Sequence, residues 1–386
     1  MSFAFTYFIA LFASWLLIPY FIRHSDLLRM IDQPGGRKAH QAPTSRAGGL
    51  GIILAFALAL TFSLLNTSEF IWLYTAAMVI VVCGVADDVW PMTASKKFAG
   101  QIVAVCIAMY GGVVIENVPG FAGDSPVALN YLVTFIFLLG VTNAVNLSDG
   151  LDGLAAGSTL MSLGLILVLC FMSDSFQLML ITIAIMGGIS GFLRYNTFPA
   201  RVFMGDAGSQ FIGFMAAALA VLCTQNASAG YSHALPLLIL GLPILDTLYV
   251  MLIRIINKRS PFMPDQNHLH HRLIRLNFPH HEAVAMVYFA QTLLMILAFT
   301  LRSADDWQVI IAFVLFAGAL LFGVIAAKRT GWQRTLRRRE RYANKEAERR
   351  NPVFRKLGFS FQPFTNLVSV LIFGAIVVAV VTVYVS

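Results

Sequence analysis

The 386-residue sequence is poor in charge, because only 12% of its residues are Asp, Glu, Lys or Arg, whereas 58% are hydrophobic. Soluble domains carry roughly 25% charged and roughly 45–50% apolar residues. The imbalance excludes an ordinary soluble enzyme and a disordered chain. Because about 20 apolar residues suffice for a helix to cross a bilayer, the composition predicts an all-α, polytopic integral membrane protein.

Cysteine is also scarce. The chain has four cysteines, all inside apolar runs and none at CxxC spacing: Cys83, Cys106, Cys170 and Cys223. This pattern excludes a disulfide scaffold and a cysteine metal site, and it favours small core residues. A charged leader and a small-residue cleavage site are absent too, so Phe3 to Ile22 is predicted to be a retained helix and not a cleaved signal.

Long apolar runs are what the sequence has in abundance, and they predict about 11–12 transmembrane helices. The predicted spans lie near residues 3–22, 48–65, 70–88, 98–115, 128–146, 154–172, 177–195, 208–224, 233–256, 284–301, 307–327 and 364–385. They divide the chain into a multi-span domain that holds the candidate site (1–327), a basic segment (328–363) and an additional C-terminal helix (364–386).

Positive charge lies almost entirely on one side of these spans. The loops on that side, with the adjoining span ends, hold every Lys and Arg except Arg302. Because such loops stay in the cytoplasm, this side is predicted to be cytoplasmic. The net charge of +8 mostly reflects the segment 328–363. Its composition favours a surface on anionic lipid headgroups, with a purely topological role as the alternative, and argues against nucleic acid.

Acidic and amide side chains cluster at the predicted cytoplasmic ends of the spans, where charge is costly and marks candidate functional residues. Three motifs carry them: GVADDVW with Asp87 and Asp88, NAVNLSDGLDG with Asn143, Asn146, Asp149 and Asp152, and FMGDAGS with Asp206. In the plainer interpretation, the first pair ends a solvated helix and the other aspartates cap helices. Their convergence on one side favours Mg²⁺ and a polar ligand instead.

Basic and histidine-rich loops lie on the same predicted side. They contribute Lys38 and Arg46 in the first loop, Lys97 after the third span, and His268, His270, His271 and Arg272 in the string DQNHLHHR. Neutral imidazoles could bind zinc, but no Cys or Glu stands at zinc-ligand spacing, so phosphate oxygens are the favoured ligand. Cations around carboxylates indicate phosphoryl transfer at the inner membrane surface. Other histidines, including His280 and His281, are predicted to be ordinary loop or interface residues.

In the order GVADDVW, NAVNLSDGLDGLAAG, FMGDAGS and PDQNHLHHRL, these motifs resemble those of the polyprenyl-phosphate N-acetylhexosamine-1-phosphate transferases. The resemblance covers the chain from about Arg37 to about residue 300. It implies a multi-pass protein of the bacterial inner membrane with an active site that faces the cytoplasm. The implied reaction joins a UDP-sugar and polyprenyl phosphate to give sugar-diphosphate-polyprenol and UMP, with Mg²⁺ or, as a substitute, Mn²⁺. The last string is similar to the branch that uses UDP-N-acetylglucosamine to start teichoic acid or O-antigen synthesis.

The resemblance also implies roles for individual residues. Asp206 is the expected principal metal ligand and Asn146 the second. The expected catalytic residues are Asp87, Asp88, Asp149, Asp152 and Asp206. Asp87 is expected to lie beside the acceptor phosphate, with Asp88 as its partner. Asp149 and Asp152 are expected to position the nucleotide. Expected substrate-binding residues are Lys38, Arg46, Lys97, Asn143, Asp152, His268, His270, His271 and Arg272.

Several alternatives stay open at this point. The donor could be another UDP-sugar, a phospho-MurNAc-pentapeptide or a 6-deoxy N-acetylhexosamine donor, with the difference held in loops 196–207 and 257–283. A secondary transporter of an anionic metabolite would instead bind near the midplane of the membrane. Only Asp246 suits that position, and it could equally be a structural partner to a neighbouring helix. A UDP-sugar, polyprenyl phosphate and membrane lipids are the expected partners, nucleic acid is not, and a homodimer is open.

Overall fold

The computed structural model describes residues 3–33, 43–62, 68–119, 125–225, 230–258, 260 and 268–329. The helices are α1 (Phe3–Arg23), α2 (Gly48–Phe62), α3 (Ile71–Val89), α4 (Ala94–Tyr110), α5 (Val127–Ser148), α6 (Leu154–Met172), α7 (Phe176–Asn196), α8 (Gly205–Thr224), α9 (Pro236–Ile239), α10 (Gly241–Ile256), α11 (Leu269–Arg275), α12 (His280–Thr300) and α13 (Asp306–Arg329). A short 3₁₀ turn, Ser68–Phe70, precedes α3.

Eight of these helices are long and apolar enough to cross a membrane, counted over the described ranges alone: α1, α3, α5, α6, α7, α8, α12 and α13. Lipid offers the backbone no hydrogen-bond partners, so a spanning segment must satisfy its own amides, as a helix does. The prediction of an all-α, multi-pass membrane protein is confirmed. The other predicted spans within these ranges coincide with shorter helices, α2, α4 and α10.

Some predictions fall outside the described residues. These are the additional helix at 364–386, the basic segment beyond Arg329, and Lys38. All four cysteines lie within the described ranges and are free, so the prediction of a chain without disulfides is confirmed. Cys170 and Cys223 are buried, whereas Cys106 is exposed on α4, so the prediction of a core position is wrong for Cys106.

Helix α8 lies at the centre of the bundle. In its apolar stretch 94% of the residues are buried, against 11% in α13. The start of α8 is held by very close helix packing. A Cβ on Gly49 of α2 would overlap the backbone of Gly208, and a Cβ on Gly84 of α3 would lie 2.5 Å from the Cα of Ala207. Small residues let membrane helices approach this closely, so α2 and α3 fix the position of the α8 N-terminus.

The segment before α2 is tied to the segment before α8. Within the described chain the only strands, β1 (Ile31–Asp32) and β2 (Thr44–Ser45), pair in antiparallel fashion. Ser45 also forms a parallel bridge with Val202. The Phe203 amide donates a hydrogen bond to the Ser45 carbonyl at 2.7 Å. The two loops therefore form one unit beside the N-terminus of α8.

The predicted ninth span, 233–256, is not continuous, because it is split at Leu240 into α9 and α10. Pro243 has no N–H, so it cannot donate to the carbonyl four residues earlier, that of Ile239. That carbonyl instead accepts hydrogen bonds from Ser162 Oγ at 2.8 Å and from Gln291 Nε2 at 3.0 Å. Neighbouring helices thus satisfy the backbone group that the proline leaves free.

Candidate active site

The motif aspartates meet at one end of the bundle, called here the acidic end. Asp87 and Asp88 lie in the last turn of α3, and Asp206 lies in the first turn of α8. Asp149 and Asp152 lie in the turn that joins α5 to α6. Helices that run in opposite directions bring the C-terminus of one beside the N-terminus of the next. Residues far apart in the sequence therefore share one small region.

Lys97, in the first turn of α4, joins two of these carboxylates. Its Nζ donates to Oδ2 of Asp206 at 2.8 Å and forms an ion pair with Oδ2 of Asp87. The other oxygen of Asp87 accepts the Met92 amide at 2.7 Å. Opposite charges at this range attract each other. The lysine thus places one positive charge between two acids.

Asp88 caps the N-terminus of α8 from a different helix. Its Oδ1 accepts the Asp206 amide at 2.9 Å and its Oδ2 accepts the Ala207 amide at 3.0 Å. The first amides of a helix have no partner within the helix, and α8 has no side-chain cap of its own. A negative charge also suits a helix N-terminus. The interpretation of Asp206 as a simple helix cap is therefore wrong, because Asp88 fills that position.

Asn146, near the end of α5, faces the same carboxylate of α8. Its side-chain amide lies close to the carboxylate of Asp206. Ser209 Oγ lies 3.0 Å from Oδ1 of Asn146 and fixes the orientation of the amide. The structure thus brings together the two residues predicted as metal ligands.

These two residues fit a magnesium ion. Among the described residues, no three His, Cys, Asp or Glu side chains form a ready-made metal cage. Mg²⁺ does not need one, since it commonly takes one or two protein carboxylates and completes its shell with water and substrate phosphates. The carboxylate of Asp206 and the neighbouring side-chain amide of Asn146 supply oxygen atoms of the kind that Mg²⁺ binds. Metal binding itself stays a prediction.

Asn143 lies about one helical turn deeper than Asn146 and belongs to a buried amide network. Its Nδ2 donates to Oε1 of Gln101 at 2.7 Å, and Gln101 Nε2 donates to Oε1 of Gln210 at 2.9 Å. The network joins α4, α5 and α8, and such buried networks rigidify the helices that share them. Its observed contacts are structural. Sequence reasoning missed Gln101 and Gln210, because neither stands out from the apolar residues around it.

The carboxylate of Asp149 has no hydrogen bond or ion pair within the described part of the chain. Burial raises the pKa of Asp149 to about 7, and the negative charges of neighbouring aspartates add to this effect. The aspartates concerned are Asp206, Asp152 and Asp88. A carboxyl group that titrates near neutral pH, in a cluster of acids, marks a candidate functional residue.

The turn that carries Asp149 is held by its neighbours. Asp152 Oδ2 accepts the Ala200 amide at 2.9 Å, and the Gly153 amide donates to Oδ1 of Asn196 at 2.9 Å. The amide of Asp152 donates to Nε2 of His280 at 3.0 Å. Asp149 and Asp152 do not cap α6, whose N-cap is Gly153 without a side-chain cap bond, so that interpretation is wrong. Sequence reasoning also missed His280, for which no motif gave a signal.

The histidine string forms α11, which is anchored by Asp246 of α10. Asp246 Oδ1 accepts the Leu269 amide at 2.6 Å, and its Oδ2 lies 2.9 Å from Nδ1 of His268. The interpretation of Asp246 as a structural partner of a neighbouring helix is confirmed. Its carboxylate is occupied at the end of α11, which removes the one residue that suited a midplane transport site.

His270 connects α11 to the acidic end. A Cβ on Gly150 would overlap the imidazole of His270, so the ring lies directly on the turn beside Asp149. Burial lowers the pKa of His270 to about 3, with a further contribution from His271. The ring is therefore neutral at pH 7. Its buried Nε2 has no hydrogen-bond partner among the described residues.

Two predicted cationic contacts have partners within the chain. The guanidinium of Arg272 lies 4.2 Å from the ring centre of Tyr249 and also donates to the Tyr249 hydroxyl. Arg46 pairs with Asp32 of β1. The structure places Arg46 next to α8, since its carbonyl lies where a Cβ on Gly205 would be. Contacts of these arginines with substrate stay predictions.

Comparison with known proteins extends over the same region. The family model for glycosyl transferase family 4 matches residues 70–224, from just before α3 to the end of α8. A probable undecaprenyl-phosphate N-acetylglucosaminyl 1-phosphate transferase of Bacillus subtilis (strain 168) is 32% identical over 328 residues, which is 84% of this chain and 90% of the relative.

Two further relatives carry similar names. A decaprenyl-phosphate N-acetylglucosaminephosphotransferase of Mycobacterium leprae is 33% identical over 303 residues, 68% of this chain and 75% of the relative. An undecaprenyl-phosphate alpha-N-acetylglucosaminyl 1-phosphate transferase of Escherichia coli (strain K12) is 26% identical over 321 residues, 80% of this chain and 87% of the relative. The chain therefore belongs to the family of polyprenyl-phosphate N-acetylglucosamine-1-phosphate transferases.

Proposed function

We propose that the protein transfers N-acetylglucosamine 1-phosphate from UDP-N-acetylglucosamine to undecaprenyl phosphate and releases UMP. The product is the first lipid-linked intermediate of a cell-surface polysaccharide such as O-antigen or a teichoic acid. The observation that carries the proposal is the convergence of Asp87, Lys97 and Asn146 around Asp206 at one end of a membrane bundle. The named relatives support the same reaction.

The position of the site suits a reaction between a water-soluble donor and a lipid acceptor. The polyprenyl chain must stay in the bilayer, while the nucleotide sugar comes from water. A site at the ends of α3, α5 and α8 can meet both. The distribution of Lys and Arg over the predicted loops supports a cytoplasmic orientation of this end, in the inner membrane of a bacterium.

The main barrier to this reaction is electrostatic. The acceptor phosphate is already largely ionised at pH 7, since its second pKa is about 6, so one anion must approach another. When bound, Mg²⁺ neutralises charge on the donor diphosphate. Asp206 and Asn146 would hold it.

The residues of the chain supply the rest of the electrostatics. Lys97 places a positive charge between Asp87 and Asp206, where the reacting phosphates meet. Asp87 is assigned to the acceptor side and Asp149 to the donor side. A preorganised set of charges costs little reorganisation during the reaction. The cap from Asp88 keeps the first turn of α8, and with it Asp206, in place.

Release of UMP by purified protein tests the proposal. Protein in detergent is incubated with undecaprenyl phosphate, Mg²⁺ and UDP-N-acetylglucosamine. We expect UMP only when both lipid and metal are present, and we expect Asp206→Asn to lower the rate by about 100-fold or more, as for loss of a principal electrostatic group. Asp174 follows the C-terminus of α6, whereas Asp149 and Asp152 precede its N-terminus. Asp174→Asn is therefore the matched control and should leave the rate unchanged.

The donor assignment is tested in the same assay. If another UDP-sugar is used and UDP-N-acetylglucosamine is not, the assignment of the sugar is wrong while the reaction class stands. Silence with every donor, from a protein that unfolds cooperatively on heating, would contradict the proposed function.

A further inference from the structure

The turn between α5 and α6, residues 149–153, depends on other elements for its shape. It carries Asp149 and Asp152 within four residues. No side chain in the described chain restrains the Asp149 carboxylate, so the backbone of the turn decides where that carboxylate lies. The elements that hold this backbone therefore control the geometry of the acidic end on the side assigned to the donor.

Two residues of α12 hold the backbone of the turn directly. His280 Nε2 accepts the amide of Asp152 at 3.0 Å. The hydroxyl of Tyr288 donates to the carbonyl of Gly153 at 2.6 Å. A Cβ on Gly157 would overlap that hydroxyl, so a glycine in the first turns of α6 makes room for it. One helix thus grips both a donor and an acceptor group of the same turn.

The state of the His280 ring follows from this contact. A backbone amide can only donate, so Nε2 is unprotonated and Nδ1 carries the proton. Nδ1 is buried and has no hydrogen-bond partner among the described residues, which costs free energy. The ring stacks on Phe198 with 4.3 Å between ring centres. Phe198 lies in the segment whose Ala200 amide binds the carboxylate of Asp152.

We propose that His280 and Tyr288 are positioning residues that fix the turn of residues 149–153 for binding of the UDP-sugar donor. The proposal rests on the proposed function for the identity of that donor. It assigns a role in the reaction to α12, which lies outside the stretch matched by the family model. Asp87 and Asp206 are held by contacts from α3, α4, α5 and α8 and by the Met92 amide, none of which involves α12, so loss of the α12 contacts should affect the donor more than the lipid acceptor.

Kinetics of three variants test the role of His280. His280→Phe keeps an aromatic ring against Phe198 but removes the acceptor, and we expect KM for UDP-N-acetylglucosamine to rise about tenfold, as for one lost buried hydrogen bond. KM for undecaprenyl phosphate should not change. His280→Gln offers an amide oxygen to the same amide and should recover most of the loss. His281→Phe, the same change at the exposed neighbour, is the matched control.

Hydrogen–deuterium exchange tests, without catalysis, whether His280 and Tyr288 hold the turn of residues 149–153. In the peptide that covers residues 149–157, His280→Phe and Tyr288→Phe should speed exchange, while His281→Phe should not. Unchanged exchange in His280→Phe and Tyr288→Phe would show that these two residues do not hold the turn. Faster exchange with an unchanged KM for the donor, or with equal increases in both KM values, would overturn the positioning role.

The two tests separate this inference from the proposed function. If the wild-type protein releases no UMP, the proposed function fails, and the Kd for UDP then replaces KM as the measure of donor binding. A His280→Phe variant that binds UDP as tightly as the wild type would then overturn the positioning role. Weaker binding that His280→Gln restores would support it.

Discussion

Helices α8 and α11 both begin without a cap of their own, and each receives an aspartate from another helix. At α8, both oxygens of Asp88 accept backbone amides. At α11, one oxygen of Asp246 accepts the Leu269 amide and the other contacts the His268 ring. The first contact fixes the backbone alone, while the second also orients a side chain. The contact at the start of α8 therefore holds only the helix backbone, whereas the contact at the start of α11 also fixes the orientation of His268.

Removal of the α8 cap should have the largest effect. Asp88→Ala leaves the amides of Asp206 and Ala207 without side-chain partners, and an unsatisfied buried polar group costs about 1–3 kcal/mol. We expect a loss of at least about 100-fold in UMP release together with a lower Tm. Asp88→Asn keeps one acceptor oxygen, so its UMP release and its Tm should lie between those of the wild type and those of Asp88→Ala. If Asp88→Ala kept wild-type activity, α8 would not need its cap.

Removal of the α11 cap should have a smaller effect, because α11 has only seven residues, whereas α8 has 20. Asp246→Ala should lower activity about tenfold and destabilise the protein by about 1 kcal/mol, the usual cost of a lost cap. Asp246→Asn still accepts the Leu269 amide and should restore stability more than activity. Thermal unfolding and UMP release on the same preparations make the comparison. Equal losses in the two aspartate-to-alanine variants would remove the distinction between the caps.

A smaller effect concerns how the two regions titrate. Folding raises the pKa of Asp149 from an ordinary value of about 3.9 to about 7. Its favourable contribution to stability is therefore present below pH about 4 and is lost as the pH rises through about 7. Asp149→Asn should therefore raise Tm relative to the wild type by more at pH 8 than at pH 5.

The histidine helix should respond to pH in the opposite direction. Folding lowers the pKa of His270 from an ordinary value of about 6.5 to about 3, so its contribution to stability is present above about pH 6.5 and is lost as the pH falls toward 3. The change in Tm caused by His270→Gln should therefore be more favourable at pH 5 than at pH 8, opposite to that of Asp149→Asn. Tm changes that are equal at the two pH values, in either variant, would contradict the contrast between the two regions.

The sequence predicted the helices and their common end well, and the reason is physical. Apolar runs of about 20 residues must be helical in lipid, and charge at the membrane edge stands out against them. The alternation of spans then placed Asp87, Asp149 and Asp206 on one side, and the structure brings all three together.

The partners of these residues could not be predicted in the same way. Hydropathy averages over a segment, so it did not show that Pro243 breaks the ninth span and that Ser162 and Gln291 complete it. The partner of Asp88 is a backbone, which has no sequence signal. His280 lies 128 residues from the amide that it binds. Such pairings depend on tertiary packing, which a single sequence does not record.

The carbonyl of Ile239 also bears on how the protein is made. Its two partners come from α6, which is synthesised before it, and from α12, which is synthesised after it. Until α12 has entered the membrane, the break between α9 and α10 lacks half of its support. The site therefore cannot be completed helix by helix in the order of synthesis. The position of α10, with Asp246, is fixed only when α12 has inserted. The same helix, α12, brings His280 to the turn that carries Asp149.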